Sequence, residues 1–240
     1  QRLEEEPGDE PVPAEAGLNR FVWDMTLAPA RSFPGMILWS GQPLPPPAVP
    51  GTYQVRLSLG GLTATAPFTI EKDPRSAATA DDLAAQQRFL LAIRTKLGET
   101  HDALSRLRDV RAQLEDLGKR LSRYDETDRF AKLREASRAL TAKLQAVEES
   151  LYQTKNRSLE DPLNFPVRLN DKLNAVANSA ALGDSRPTAQ AVAVQEELTA
   201  AIDAQLAKLR QIWEQDLPAF DELARQEGVT AVLPPLPQLK

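Results

Sequence analysis

Residues 79–122 read TADDLAAQQRFLLAIRTKLGETHDALSRLRDVRAQLEDLGKRLS, a run without proline. Apolar side chains recur in this run with a seven-residue period, in two rows formed by Leu83, Leu90, Leu97 and Leu104 and by Ile93, Leu107, Leu114 and Leu121. A heptad period is typical of a helix that buries one stripe against other helices. It predicts one amphipathic helix of roughly 65 Å, since an α-helix rises about 1.5 Å per residue.

Further helices are predicted downstream of this run. The second ends near Thr154, follows turn residues 125–128, and carries the apolar stripe Phe130, Leu133, Leu140, Leu144, Val147 and Leu151. The third runs from about Val167 to Gly183, and the fourth opens with Thr188 as its cap and is broken or kinked at Pro218. Short loops between long amphipathic helices favour antiparallel packing within one chain over pairing with a second chain.

The first 74 residues have a different composition. They hold 12 of the 19 prolines, and no proline follows Pro74 until Pro162. Helix interiors exclude proline, so this part should consist of strands and loops. Apolar and polar residues alternate from Tyr53 to Leu59 and again from Leu62 to Ile70, with Gly60-Gly61 between them. This pattern predicts a β-hairpin with a two-residue turn.

Two more strands are predicted upstream, at residues 19–26, where Phe21 and Trp23 would share a face, and at residues 36–39. Four strands are fewer than the about seven of a β-sandwich. Either the small sheet borrows a surface from elsewhere, or its first strands precede Gln1. We favour the second explanation, because the chain begins Gln1-Arg2-Leu3 without a methionine or a signal-peptide pattern, as expected of a processed product or a fragment.

Composition excludes several classes of function. The chain has no cysteine and one histidine, which rules out disulfides, thiolate metal sites, histidine-based triads and multi-histidine metal sites. A formal net charge of -5 makes nucleic acid and anionic membranes poor partners. No stretch approaches the roughly 18 apolar residues of a membrane span. We therefore predict no cofactor, no nucleic-acid partner and no membrane span.

No catalytic motif stands out, and each candidate residue has an ordinary structural explanation. His101 is expected at an exposed or edge position of its helix, because no second histidine or cysteine could share a metal with it. The acidic pairs Asp81/Asp82, Glu148/Glu149 and Glu196/Glu197 are adjacent in sequence and should splay apart on a solvated helix face. We predict no catalytic, cofactor-binding or metal-binding residue.

Two other groups have both a structural and a functional interpretation. Trp23, Trp39 and Tyr53 could form a platform for stacking sugars, but packing in a small β core is favoured. The segment DPLNFPVRLN (residues 161–170) looks like a motif. Its structural interpretation is that Asn164 caps the third helix while Leu163 and Phe165 seal the end of the bundle.

Several local segments carry a resemblance to a known family. They are GLNRFVWDM (residues 17–25), PGMILW (34–39), VPGTYQVRL (49–57), DPR (73–75), DPLNFPVRLN (161–170) and RPTAQ (186–190). Together they resemble the C-terminal region of large bacterial secreted proteins of the sortilin-like, BNR-repeat, glycosyl-hydrolase-like kind. The front part also resembles the Ig-like domain of flagellar hook-capping proteins, in which a W-D segment precedes a P-G-T-Y strand.

The strand and helix patterns predict an α+β, mostly α fold, in which a small, incomplete β domain precedes an elongated antiparallel helical bundle. The resemblance adds that the β domain is Ig-like. The resulting organisation is an acidic flexible linker at 1–16, an Ig-like segment at 17–74, the bundle at 75–228 and an extended proline-rich tail at 229–240. The family is secreted, which implies a periplasmic or extracellular bacterial location.

The resemblance also implies a function without catalysis. In that family a β-propeller of BNR repeats precedes this region, and the chain contains no such repeat, so any hydrolase site would lie outside it. The favoured function is a docking or assembly module whose partner is the propeller of the same protein or another subunit. The alternatives are a glycan-binding part of a carbohydrate-active enzyme and a homodimeric coiled-coil scaffold.

Overall fold

The computed structural model describes residues 15–122 and 130–229. It confirms the predicted class, since most described residues are helical and a small antiparallel sheet precedes the helices. The elements in chain order are β1 (Gly51–Leu59), β2 (Leu62–Ile70), α1 (Ala80–Leu121), α2 (Ala131–Leu151), α3 (Leu169–Ala180), α4 (Ala189–Gln211) and α5 (Leu217–Gln226). The predicted linker and tail lie largely outside the described residues, as do the turn residues 125–128.

Helix α1 begins and packs as its sequence predicts. Thr79 and Asp82 form a capping box, in which each side chain bonds the other residue's backbone N–H. The apolar residues of both heptad rows are buried, and all of them except Leu83 share one core with residues of α2, α3, α4 and α5. The stripe is therefore covered within a single chain.

Polar contacts between helices show how they run. Arg108 on α1 contacts Glu148 on α2, whereas His101 and Gln86, nearer the start of α1, contact Asn170 and Ala180 on α3. The residue numbers of the partners rise as those on α1 fall, so α2 and α3 run antiparallel to α1. Asp82 pairs with Arg186 and Lys96 pairs with Asp203, so α4 runs parallel to α1. Helices α2 and α3 thus form one broken rod, and α4 and α5 form another. Together with α1 they make a three-rod bundle.

Two helix boundaries confirm the predictions from sequence. The Thr188 hydroxyl accepts a hydrogen bond from the Ala191 N–H and so caps α4. A π-helical turn at Ile212–Asp216 separates α4 from α5 just before Pro218. Proline lacks the N–H that continues a helical ladder, and the wider turn absorbs this break.

The boundary before α3 differs from the prediction. Helix α3 begins at Leu169, and Asn164 instead follows a short 3-10 turn, Asp161–Leu163. The Leu163 side chain is exposed and seals nothing. The Asp161 carboxylate accepts hydrogen bonds from the Arg157 and Ser158 N–H groups, which lowers the pKa of Asp161 and fixes this turn locally.

The hairpin forms as predicted, but the two upstream strands do not. Gly60 and Gly61 have φ of 54° and 85°, the positive values that a primed two-residue turn requires. Residues 19–26 contribute only an isolated bridge between Thr26 and Pro47, and residues 36–39 are irregular. The backbone N–H groups of Ile37, Trp39 and Ser40 donate to the side chains of Tyr152, at the C-terminal end of α2, and Asp171, on α3, rather than to a neighbouring strand. The alternation there therefore did not produce a strand.

Residues 27–48, which we call the strap, belong to the bundle rather than to a β domain. The side chains of Ala30, Phe33, Met36 and Leu38 lie in the same apolar core as the helices. The described part of residues 17–74 therefore contains no sandwich of its own. It consists of an exposed segment, the strap and the hairpin, and the predicted boundary at residue 74 does not separate two cores.

Candidate functional site

The hairpin has one apolar and one polar face. In the observed register Tyr53 lies opposite Phe68, Val55 opposite Ala66, Leu57 opposite Ala64 and Leu59 opposite Leu62, and all eight point to the same side. The intervening pairs are Thr52–Thr69, Gln54–Pro67, Arg56–Thr65 and Ser58–Thr63. Arg56 is the only charged side chain in either strand. Such a separation is typical of a sheet with one buried face.

Nothing in the described chain covers most of that apolar face. Leu57, Leu59 and Leu62 are 61%, 64% and 79% exposed. Neither strand packs extensively against a helix, and each pairs mainly with the other. A contiguous exposed apolar patch with a polar rim is a common mark of a protein-binding surface.

The base of the hairpin is held by an aromatic cluster. The Trp23 ring lies 6.0 Å, centroid to centroid, from both the Tyr53 and the Phe68 rings, and Tyr53 stacks on Phe68 at 5.7 Å. The Tyr53 hydroxyl donates to the Val49 carbonyl at 2.7 Å, while partial burial raises the pKa of Tyr53. This cluster fixes the end of the hairpin nearest the bundle and leaves the turn end free.

The segment beside this cluster adds apolar surface. Leu18, Phe21, Val22 and Met25 are all more than half exposed. Phe21 was expected on the same face as Trp23, but only Trp23 packs onto the hairpin. These residues are close in the chain to Trp23, which touches the base of the hairpin.

The strap fixes the hairpin to the bundle through a buried polar network. The Asp171 carboxylate on α3 accepts hydrogen bonds from the Trp39 N–H at 2.8 Å, the Ser40 N–H at 3.0 Å and the Ser40 hydroxyl at 2.6 Å. Asn174 donates to the Ser40 hydroxyl and to the Gly41 carbonyl. The Tyr152 hydroxyl accepts from the Ile37 N–H. Asp171 and Asn174 therefore anchor the strap, and both lie just beyond the segment 161–170 that the sequence singled out.

The structure contradicts the expected exposure of His101. The strap covers this residue, leaving it 1% exposed, and its ring contacts Phe33 edge-on. Its Nδ1 lies 2.6 Å from the Arg31 carbonyl and its Nε2 3.3 Å from the Asn170 amide nitrogen. Burial lowers the pKa of His101, although the Arg31 carbonyl and Asp102 act in the opposite direction. The neutral ring is thus a structural link between strap and bundle.

One of the acidic pairs is also different from the prediction. Glu148 is 2% exposed and binds the guanidinium groups of both Arg108 and Arg111. Arg108 in turn lies over the Phe33 ring at 4.3 Å, so strap, α1 and α2 meet at this ion pair. Glu196 and Glu197 are exposed, as predicted. Sequence spacing could not single out Glu148, because its partners lie about 40 residues away in the chain.

The three aromatic residues for which a small β core was favoured, with a sugar platform as the alternative, are not brought together, because Trp39 is exposed and apart from the other two. Within the described residues, Trp39 makes no ring contact with Trp23 or Tyr53, and its backbone is held at α3. An open groove of about 320 Å³ lies between the end of α3 and the start of α4. Its one charged lining residue, Arg186, is neutralised by Asp82, whose pKa falls to about 2 through the Thr79 hydroxyl and Arg186. In the part of the chain that the structure describes, no three histidine or acidic side chains cluster as metal ligands would.

Comparison of the chain with protein-family models, with curated proteins and with solved structures finds no match. No helix among residues 15–122 and 130–229 is both long and apolar enough to cross a bilayer. The amphipathic hairpin is the candidate site because its apolar face is exposed, and its geometry is the basis for a functional proposal.

Proposed function

We propose that the chain is a non-catalytic docking module, in which the helical bundle holds an amphipathic hairpin for a protein partner. The observation that carries this proposal is the exposure of the apolar face around Leu57, Leu59 and Leu62. Exposing such side chains to water costs roughly 25 cal/mol per Å² relative to burying them. A partner that covers them gains this free energy, while the anchored strap limits the conformational entropy lost on binding.

The chemistry of the hairpin favours a protein over other ligands. Arg56 is its only charged side chain, so it offers little attraction to phosphates or to anionic lipid. It forms a surface rather than a pocket, whereas small ligands bind in concave sites. Its apolar side chains recur at every second residue, as they do on the face of a β-sheet that packs against a second sheet.

The resemblance described above suggests the partner and its location. It favours a β-propeller of the same protein, or another subunit, and a periplasmic or extracellular setting. The rival coiled-coil dimer is less favoured, because the heptad residues of α1 are already buried within the chain. The rival glycan platform is less favoured because Trp39 stands apart from the other two aromatic residues.

Site-specific photocrosslinking in the cells that make the protein tests this proposal. Benzoylphenylalanine at Leu57 lies on the apolar face, and the same group at Thr65 lies on the polar face as a matched control. We expect the Leu57 position to crosslink one defined protein that also forms a complex with the purified chain, and Leu57→Lys to weaken that complex at least about tenfold. Equal crosslinking from both positions, or an unchanged affinity of Leu57→Lys, contradicts the proposal.

A further inference from the structure

The hairpin presents two edges, and its register shows which backbone groups face outward on each. The turn bond joins Leu59 to Leu62, so this pair and every second pair after it are hydrogen-bonded pairs. The polar residues occupy the other pairs, whose N–H and C=O groups point away from the partner strand. The free edge of β1 therefore consists of the backbone groups of Thr52, Gln54, Arg56 and Ser58.

The two edges differ in their capacity to accept another strand. On β2 the outward groups belong to Thr63, Thr65, Pro67 and Thr69, and Pro67 has no N–H to donate. Proline on an edge is a common protection against strand addition. β1 has no proline, and all four of its outward residues are exposed. Within the described residues, no backbone hydrogen bond from outside the hairpin reaches them.

The size of the apolar face argues against docking by that face alone. Strands of nine residues span about 30 Å, and two paired strands are roughly 10 Å wide, which gives a face of roughly 300 Å². Two copies stacked face to face would bury about 600 Å², well below the ~1,200 Å² of a stable interface. A partner must therefore supply further contacts, and main-chain hydrogen bonds along a free edge supply them.

We infer that the partner docks by adding an extended strand to the free edge of β1. The partner strand is about nine residues long and alternates apolar with polar side chains, with the apolar ones on the side of Leu57. It widens the hairpin to three strands, and the sheet to which it belongs covers the joint apolar face. This inference rests on the proposed docking function and specifies its geometry.

A synthetic strand tests the inference without the natural partner. The probe is a blocked nine-residue peptide in which valine alternates with threonine and lysine stands at both ends. At about 1 mM peptide, we expect amide hydrogen exchange of Gln54 and Arg56 on β1 to slow at least about fivefold, and exchange of Thr65 on β2 to stay unchanged. Protection of Thr65 instead, or of neither edge, overturns the inference.

Matched variants separate the two edges. Arg56 and Thr65 face each other in one pair, so Arg56→Pro and Thr65→Pro introduce the same backbone change on opposite edges. We expect Arg56→Pro to weaken peptide binding at least about tenfold, while Thr65→Pro and the charge control Arg56→Thr leave it unchanged. If Arg56→Pro opens the hairpin, Gln54→Pro repeats the test opposite Pro67.

The outcomes also distinguish this inference from the function on which it rests. Loss of the natural complex with Leu57→Lys but not with Arg56→Pro supports docking and overturns strand addition. If Leu57→Lys and Arg56→Pro each abolish the natural complex and Thr65→Pro retains it, the docking function and strand addition are both supported. Retention with all variants overturns both.

Discussion

At the residue scale, the strap is joined to the bundle by a few buried polar side chains whose partners are distant in sequence. Asp171 holds the backbone of Trp39 and Ser40, while His101 holds the carbonyl of Arg31. Each of these side chains satisfies backbone groups that would otherwise be buried without partners. Replacing one of them should therefore lower the free energy of unfolding more than replacing a polar residue on a solvated helix surface.

Replacing Glu148 with Gln should destabilise the protein. The variant removes the charge that pairs with Arg108 and Arg111, and we expect it to lower the free energy of unfolding by about 2–4 kcal/mol. The range lies below that of a fully buried pair because both arginines remain about a third exposed. Urea unfolding followed by circular dichroism measures this change. The neighbouring Glu149→Gln is the control and should change stability by less than about 0.5 kcal/mol.

His101 should make stability depend on pH in the weakly acidic range. Burial holds its folded pKa below the ordinary value, so below a pH of about 6.5 the unfolded chain binds a proton that the folded chain does not. The free energy of unfolding should therefore fall as the pH decreases from about 6.5 towards the folded pKa of His101. Urea unfolding at a series of pH values should show a smaller decline for His101→Gln. Parallel curves for the two proteins would show that His101 does not cause the decline.

At the element scale, local patterns and long-range contacts had different predictive value. The heptad rows located α1, the alternation around Gly60-Gly61 located the hairpin, and Thr188 located the start of α4. Each of these signals lies within one segment. The strap could not be predicted in this way, because the backbone N–H groups of Ile37 and Trp39 donate to the side chains of Tyr152 and Asp171, more than 100 residues away. The strap also covers His101, which is why the expectation that His101 lies at the surface was wrong.

The turn of the hairpin should be sensitive to substitution at Gly61. Its φ of 85° suits glycine, and a β-branched residue there should destabilise the hairpin by about 1–2 kcal/mol. We expect Gly61→Val to speed hydrogen exchange of the paired Val55 and Ala66 amides about 5–30-fold. Gly60→Asn should preserve slow exchange, since Asn-Gly favours this turn. Unchanged exchange in Gly61→Val would mean that the turn does not set the stability of the hairpin.

At the scale of the whole molecule, the bundle contains the folded core and the hairpin carries the candidate binding surface. The core runs through α1, the other helices and the strap, and the hairpin contributes to it hardly at all. The candidate binding surface could therefore be anticipated from the hairpin pattern, but its exposure could not, because exposure depends on what the rest of the chain leaves uncovered.

This division predicts that the hairpin is dispensable for folding. Replacing residues 52–69 with two glycines should leave the free energy of unfolding of the bundle within about 1 kcal/mol of the original, since few of its contacts are lost. Urea unfolding monitored at 222 nm, where helices dominate the signal, measures it. A loss of more than about 2 kcal/mol would show that the hairpin supports the bundle.

The three-rod bundle also sets the distance between the hairpin and the opposite end of the molecule. The hairpin connects to the beginning of α1, while α5 ends beside the beginning of α2, at the far end of the bundle. The 42 residues of α1 rise about 63 Å, whereas a flexible linker of that length would average roughly 35 Å between its ends and fluctuate widely. The bundle therefore behaves as a stiff spacer. A force applied at the hairpin is transmitted along the three packed rods. Two molecules bound at opposite ends of the bundle are held apart by a distance that the length of α1 sets.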